Sequence, residues 1–174
     1  MITILGAQGT IKNVDSFIQQ LLQFSNEEHL VIQAFDATVI YSKDHLISAA
    51  THAKRAFLQG TNATNSLALE ILLYAAGERQ IQKAIKKVGV KKGEQQIVFL
   101  ITDSADQKGK KSIDKAVIRR ILKTFQLTTD EQELKADRET LKRFGITEIE
   151  LSTIPEEKYG DLILEKIALV DVIK

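Results

Sequence analysis

Residues 30–60 read LVIQAFDATVIYSKDHLISAATHAKRAFLQG, and the pattern changes period midway. As far as Ser42 the stretch is dense in β-branched and aromatic residues, the composition of one or two buried strands. From there Leu46, Ala49, Ala50, Ala53 and Phe57 recur at helical spacing and fall on one face of a helix. Ser42 offers an N-cap oxygen, and Gly60 can close the far end in the left-handed conformation. Alanines along the inner face imply close packing against a neighbour. A strand that feeds directly into such a helix predicts layered α and β structure.

The same alternation extends in both directions. MITILGA at the start is a strand candidate, and VDSFIQQLLQF places Val14, Phe17, Ile18, Leu21 and Leu22 on one helical stripe. Further on, QQIVFLITDS reads as a buried strand, IDKAVIRRILKTF as an amphipathic helix and ITEIELS as an alternating strand. A last helix is expected to begin at Pro155, whose fixed φ suits a first turn, and to run through YGDLILEKIALVDVIK. The polar segments DSADQKGKKS and TTDEQELKADRE read as mobile loops. Interleaved signals of this kind predict an α/β (α+β) fold, with helices packed around a central, mostly antiparallel sheet. Neither a repeat nor a Pro/Gly/Ser-rich linker divides residues 1–174, so a single domain is expected.

Composition narrows the chemistry. The chain has no cysteine, which removes disulfides, thiolate metal sites and thiol catalysis. A net charge of +1 argues against a protein that binds anions with its whole surface, so any nucleic-acid site must be a local patch. No apolar run approaches the roughly 20 residues that cross a bilayer, and no signal-peptide pattern follows Met1, so no membrane association and a cytoplasmic location are expected. Of the three histidines, His45 and His52 are too far apart on one helix for a paired metal site. Asp103 and Asp106 follow a strand and have the oxygen chemistry for magnesium, but two carboxylates in a Gly- and Lys-containing loop are ordinary solvated charge. GKKS lacks the upstream glycine of a phosphate-binding loop, and no nucleophile elbow is present. Neither a catalytic residue nor a cofactor or metal site can be named. Binding is the better expectation.

One segment carries a binding signal. In NSLALEILLYAAGERQIQKAIKKVGV, Asn65–Val90, Gly77 ends one helix and a second starts near Glu78. Ile81, Ala84, Ile85 and Val88 then fall on one side, with Arg79, Lys83 and Lys86 opposite. Lys87, Lys91 and Lys92 extend the charge, while Asn62, Asn65, Ser66, Gln80 and Gln82 add neutral hydrogen-bonding groups. Cations suit phosphate and amides can read base edges, so Asn65, Ser66, Arg79, Gln80, Lys83 and Lys86 form a candidate RNA-binding set. Lys54 and Arg55 could border it, and Glu70 could either pair with Arg79 or serve the fold alone. An ordinary surface helix with a basic outer face would give the same periodicity.

NATNSLALEILLYAAGERQIQKAIKKVGVKKG, with SKDHLISAATHAKRAF before it and LEKIALVDVIK at the end, resembles the CGI-121 family, the small kinase-binding subunits of the KEOPS complex. The pattern of an Asn-Ser helix start, Glu70-Ile71-Leu72, a Gly-x-Arg-Gln-Ile break and Ala84-Ile85 before Gly89 carries the resemblance. It covers residues 28–101 and 158–173 and fades between. The resemblance implies a subunit without catalytic activity that binds the kinase-like ATPase subunit of KEOPS. It further implies capture of tRNA by its 3′ CCA end for threonylcarbamoyladenosine modification beside the anticodon. Tyr74 and Tyr41 are then the candidates for stacking on bases. For the kinase, the last helix offers Ile163, Leu164, Ile167 and Ala168, because it is apolar around much of its circumference. Helical periodicity equally allows Leu162, Ile163, Ile167 and Val170 to be core. An adaptor that binds only the kinase is the alternative.

Overall fold

The computed structural model describes residues 1–107, 112–131, 134 and 136–173. Strands β1 (Ile2–Ile11), β2 (Val31–Asp36), β3 (Gly93–Thr102) and β4 (Thr128–Thr129) form one sheet in the order β2-β3-β1-β4. Every pairing is antiparallel, and β1 and β3 match along their whole length, from Ile2 opposite Thr102 to Ile11 opposite Gly93. Eight α-helices accompany the sheet among the described residues: α1 (Val14–Glu28), α2 (Lys43–Gln59), α3 (Leu67–Ala76), α4 (Ile81–Val88), α5 (Lys115–Thr124), α6 (Arg138–Phe144), α7 (Glu148–Ser152) and α8 (Tyr159–Leu169).

The period-2 geometry of β3 sorts these helices into two layers. Ile97, Phe99 and Ile101 point to one face, where they meet Phe17, Leu21 and Phe24 of α1 and Val117 and Ile121 of α5. Val98 and Leu100 point to the other, into a larger core built with α2, α3, α4, α6, α7 and α8. The expected mixed fold around an antiparallel sheet is therefore what forms. Because the second half of β3 is covered on both faces, Ile97–Ile101 is a continuous apolar run rather than an alternating one.

Local chemistry explains where the reading of the sequence held and where it did not. Ser42 caps α2 by accepting the His45 N–H at 3.2 Å, and Gly60 ends the helix at φ 67°. Ala49, Ala50 and Ala53 are completely buried, as close packing requires. No second strand follows β2, because Asp36 accepts the Thr38 N–H at 2.9 Å and turns Ala37–Val39 into one turn of 3₁₀-helix. Glu148–Ser152 of ITEIELS is helical rather than extended: Thr147 and Glu150 form a reciprocal capping box that overrides the short alternation. Pro155 precedes a 3₁₀ turn, Glu156–Lys158, and α8 stops at Leu169. The expected loops over 103–112 and 128–139 lie partly outside the described residues; within them, Thr128–Thr129 is a strand and Arg138 begins a helix. On α1, Ile18 and Leu22 are exposed, since only one narrow stripe of that helix faces the sheet.

His45 ties α2 to α3. Its Nδ1 accepts the Tyr41 N–H at 3.2 Å, and its Nε2 donates to the Ala75 carbonyl at 2.8 Å, which fixes the neutral tautomer. Burial pushes its pKa down to about 4 from the ordinary 6.5. In the unfolded chain it protonates below about 6.5, whereas in the fold it does so only near 4, so its stabilising contribution is full above the first value. Between those pH values stability falls as pH drops, by up to about 3 kcal/mol in total. Urea unfolding of the parent and of His45→Gln from pH 7 to pH 4 should show this slope in the parent alone.

Candidate nucleic-acid and partner interface

The chain break after α3 is a Schellman turn. Gly77 adopts φ 65°, its N–H donates to the Tyr74 carbonyl at 3.0 Å, and the Glu78 N–H donates to that of Leu73 at 3.0 Å. Glycine fits because φ is positive, and the nearest neighbours of an added Cβ, on Lys166, would lie no closer than 3.5 Å. The second helix starts three residues later than Glu78, at Ile81, with Gln80 in the N-cap position and its side chain making no capping bond.

Lys83 and Lys86 stand exposed on the outer side of α4, while Ala84 and Val88 are completely buried. Ile81 and Ile85, on the apolar side, remain 37% and 40% exposed, so α4 shows apolar surface as well as charge. Two of the flanking cations are committed to the fold. Lys87 lies 4.0 Å from the centre of the Phe144 ring and 4.0 Å from a Glu78 oxygen, with its pKa lowered by burial. Lys91 folds back to donate to the carbonyls of Lys86 at 2.9 Å and Gly89 at 2.8 Å, closing the C-terminal end of α4.

Arg79 is half-buried, and its charge acts on the Tyr74 hydroxyl, while Gln80 is exposed. These two and Lys83 thus lie within about one turn of the start of α4. Asn65 and Ser66 do not join them; they sit at the opposite end of α3, a helix about 15 Å long at 1.5 Å per residue. Asn65 is exposed, but the Ser66 hydroxyl is engaged as the α3 cap, accepting the Leu69 N–H at 3.4 Å.

Glu70 is the residue whose role the sequence left open, and its carboxylate is structural. It is completely buried and accepts the N–H of Ala63 at 3.1 Å, the N–H of Thr64 at 2.9 Å and the Thr64 hydroxyl at 3.0 Å. Its position on the first turn of α3, just downstream of Thr64 and Ser66, was the available signal, because a first-turn acid can reach back to amides before the helix. The loop that carries Asn62 and Asn65 is thereby held in one conformation, with Asn62 donating to the Thr64 carbonyl at 2.8 Å.

A polar cluster that sequence reasoning did not anticipate joins α2, α3 and the end of α8. The Tyr74 hydroxyl donates to Asp171, which also takes His52 Nδ1 at 3.0 Å and an Arg55 nitrogen at 3.5 Å. Burial works against the Asp171 charge, but the Tyr74 and His52 hydrogen bonds hold its pKa below the usual carboxylate range. Burial and then that hydrogen bond raise the Tyr74 pKa. Tyr74 is 1% exposed, so it cannot stack on a base, which corrects that expectation. Tyr41 lies against Gly160 at the start of α8. Arg55 borders the cluster beside Tyr74, whereas Lys54 turns away to pair with Asp103. That pairing also occupies one of the two acids considered for magnesium, and no group of three metal-ligating side chains occurs among the described residues.

On α8, Ile163 and Ile167 point into the core, 1% and 0% exposed, with Leu162 and Val170. A folded chain cannot offer them to a partner, so the expected partner surface narrows to Leu164 and Ala168, which are exposed. Leu169, Val172 and Ile173 are exposed just beyond them. No helix among the described residues is long and apolar enough to cross a membrane.

Sequence comparison places these features in context. The chain is 32% identical over 89 residues to the KEOPS complex subunit Cgi121 of Pyrococcus abyssi, an alignment covering 51% of this chain and 48% of that relative. It is 31% identical over 150 residues to the regulatory protein Cgi121 of Methanocaldococcus jannaschii, covering 83% of this chain and 86% of that protein. The family described as kinase binding protein CGI-121 matches residues 9–171, a span that takes in the α3–α4 break, the Glu70-clamped loop and α8. The chain belongs to the CGI-121 family.

Proposed function

We propose that this protein is a regulatory subunit of a KEOPS-type assembly that acts by binding, and that it holds a kinase-like ATPase subunit on one surface and the 3′ CCA end of tRNA on another. Bond-making then belongs to other subunits. Family membership and the names of the two relatives support the assembly and the kinase. The RNA reading rests on one observation: α4 sets exposed Lys83 and Lys86 beside partly exposed Ile81 and Ile85. Frayed single-stranded RNA wants that combination, since cations neutralise phosphate while apolar side chains cover unstacked bases in place of the aromatic platform that Tyr74 does not supply. Arg79 and Gln80 complete the near end, and the clamped loop with exposed Asn65 stands one helix length away, at the other end of the buried helix α3.

With about three phosphates contacted, Arg79, Lys83 and Lys86 should contribute about −2 to the slope of log affinity against log salt. The double substitution Lys83→Glu, Lys86→Glu should weaken intact tRNA by at least about tenfold and leave stability within about 0.5 kcal/mol, because both side chains are exposed. Removing the CCA end should cost a similar factor. Anisotropy titrations with intact and trimmed tRNA measure all three quantities; equal affinity for the two RNAs would exclude the tail as ligand.

A second reading, an adaptor for the kinase alone, is favoured by the separation of Asn65 and Ser66 from the α4 cations and by the apolar surface at Leu164, Leu169 and Val172. Absence of any tRNA shift, with kinase co-purification intact, would select it.

A further inference from the structure

A second cationic surface lies in the other layer of the molecule, outside the segments that carry the family resemblance. On α5, Lys115, Arg119 and Lys123 are all exposed and recur at four-residue spacing, which aligns them in one stripe. At 1.5 Å per residue they stand about 6 Å apart along the axis, comparable to the step between successive phosphates of a nucleic-acid strand. Of the acids nearby in the fold, Glu28 is ion-paired in a two-point contact with Arg120 at 2.9 and 2.7 Å, whereas Asp114, which accepts the Ala116 N–H as the α5 cap, and Glu27, which accepts from Gln23, keep their charges. At its C-terminal end the stripe reaches a groove of about 280 Å³ whose walls include Lys12, Ser16, Gln20, Thr124 and Gln126. The groove walls are rich in hydroxyls and amides.

We propose that the α5 stripe and this groove form a second RNA-backbone contact, independent of α4 and on the opposite face of the sheet. Regular cation spacing beside neutral hydrogen-bonding groups fits a sugar-phosphate strand. An anionic membrane fits less well, because it takes apolar side chains inserted from the cationic face. The apolar residues of α5 are instead drawn inward, Val117 and Ile121 fully and Ile118 and Leu122 partly, and the exposed pair Ile18 and Leu22 belongs to α1. The surface would hold the body of an RNA whose end lies elsewhere, so it stands whether or not the α4 reading does.

The test uses the full chain and a tRNA transcript lacking its 3′ end, which removes the ligand proposed for α4. Lys115→Glu, Arg119→Glu, Lys123→Glu together should weaken this trimmed RNA by at least tenfold and flatten the salt dependence by about two to three units of log-log slope, at about 0.7–0.9 per phosphate. The matching triple glutamine variant, milder toward the fold, should lose affinity in the same direction by a smaller factor. Lys83→Glu, Lys86→Glu should leave trimmed-RNA affinity unchanged, so failure of the α4 reading shows separately, in the ratio of intact to trimmed RNA. Failure of the parent to bind trimmed RNA, or unchanged binding by both triple variants, overturns the proposal. Retention of the parent on phosphatidylserine vesicles, lost in the triple variants while RNA binding is unchanged, overturns it in favour of lipid headgroups.

Discussion

Ile167→Glu is expected to yield a chain that does not fold, while Leu164→Glu, one turn earlier on the same helix, folds normally. Ile167 is completely buried in the apolar core that also holds Ile163, Val170 and residues of α2 and α3. An unpaired charge there costs about 5 kcal/mol or more, comparable to the whole stability of a typical domain. Leu164 is 36% exposed, so its replacement should cost about 1 kcal/mol or less. Urea unfolding followed by circular dichroism separates the two. A cooperatively folded Ile167→Glu would mean that α8 is not seated as described. If the outer face of α8 receives the kinase-like subunit, Leu164→Glu should also abolish co-purification of that partner without loss of structure, whereas retention would move the docking surface elsewhere.

Glu70→Ala should be the other costly change, although no hydrophobic contact explains it. The substitution strands two donors, the N–H groups of Ala63 and Thr64, around a cavity where the carboxylate was, while the Thr64 hydroxyl keeps the Ser66 carbonyl at 2.9 Å as its acceptor. Hydrogen bonds to a charged acceptor are each worth about 1.5–3 kcal/mol and buried orphans are penalised further, so a loss of about 3 kcal/mol or more is expected. Glu70→Gln keeps one acceptor oxygen but turns an NH₂ toward the same donors, so it should fall between Ala and the parent. Urea midpoints give the ordering, and hydrogen exchange at Ala63 and Thr64 locates the effect: protection there should collapse before that of β3. Unchanged exchange in Glu70→Ala would show that the loop is held by something else. Because this loop carries Asn65, the same variant should weaken any ligand that contacts it.

Much of the architecture was legible because its signals are local. The α2 boundaries follow from Ser42 and Gly60, and the end of α3 follows from Gly77, where a single backbone conformation decides the matter. The failures have local causes too. At ITEIELS a capping box outweighed an apolar alternation too short to specify a strand, and after β2 one Asp36 side chain was enough to curl the chain. The candidate site was legible only in part. Exposure of Lys83 and Lys86 follows from helical period, but the diversion of Lys87 to Phe144 and of Lys91 to the α4 carbonyls depends on what the fold brings near them.

The sequence by itself determined the layered α and β class, the placement of most helices and strands, and the family, since each is written in spacing, caps and a contiguous motif. Only the tertiary structure decided which of Ile163, Leu164, Ile167 and Ala168 meet solvent, that Tyr74 is sealed against Asp171, and that Glu70 clamps a loop rather than pairing with Arg79. The reason is geometric: helical period says which residues share a face, but whether that face is covered depends on elements far away in the chain.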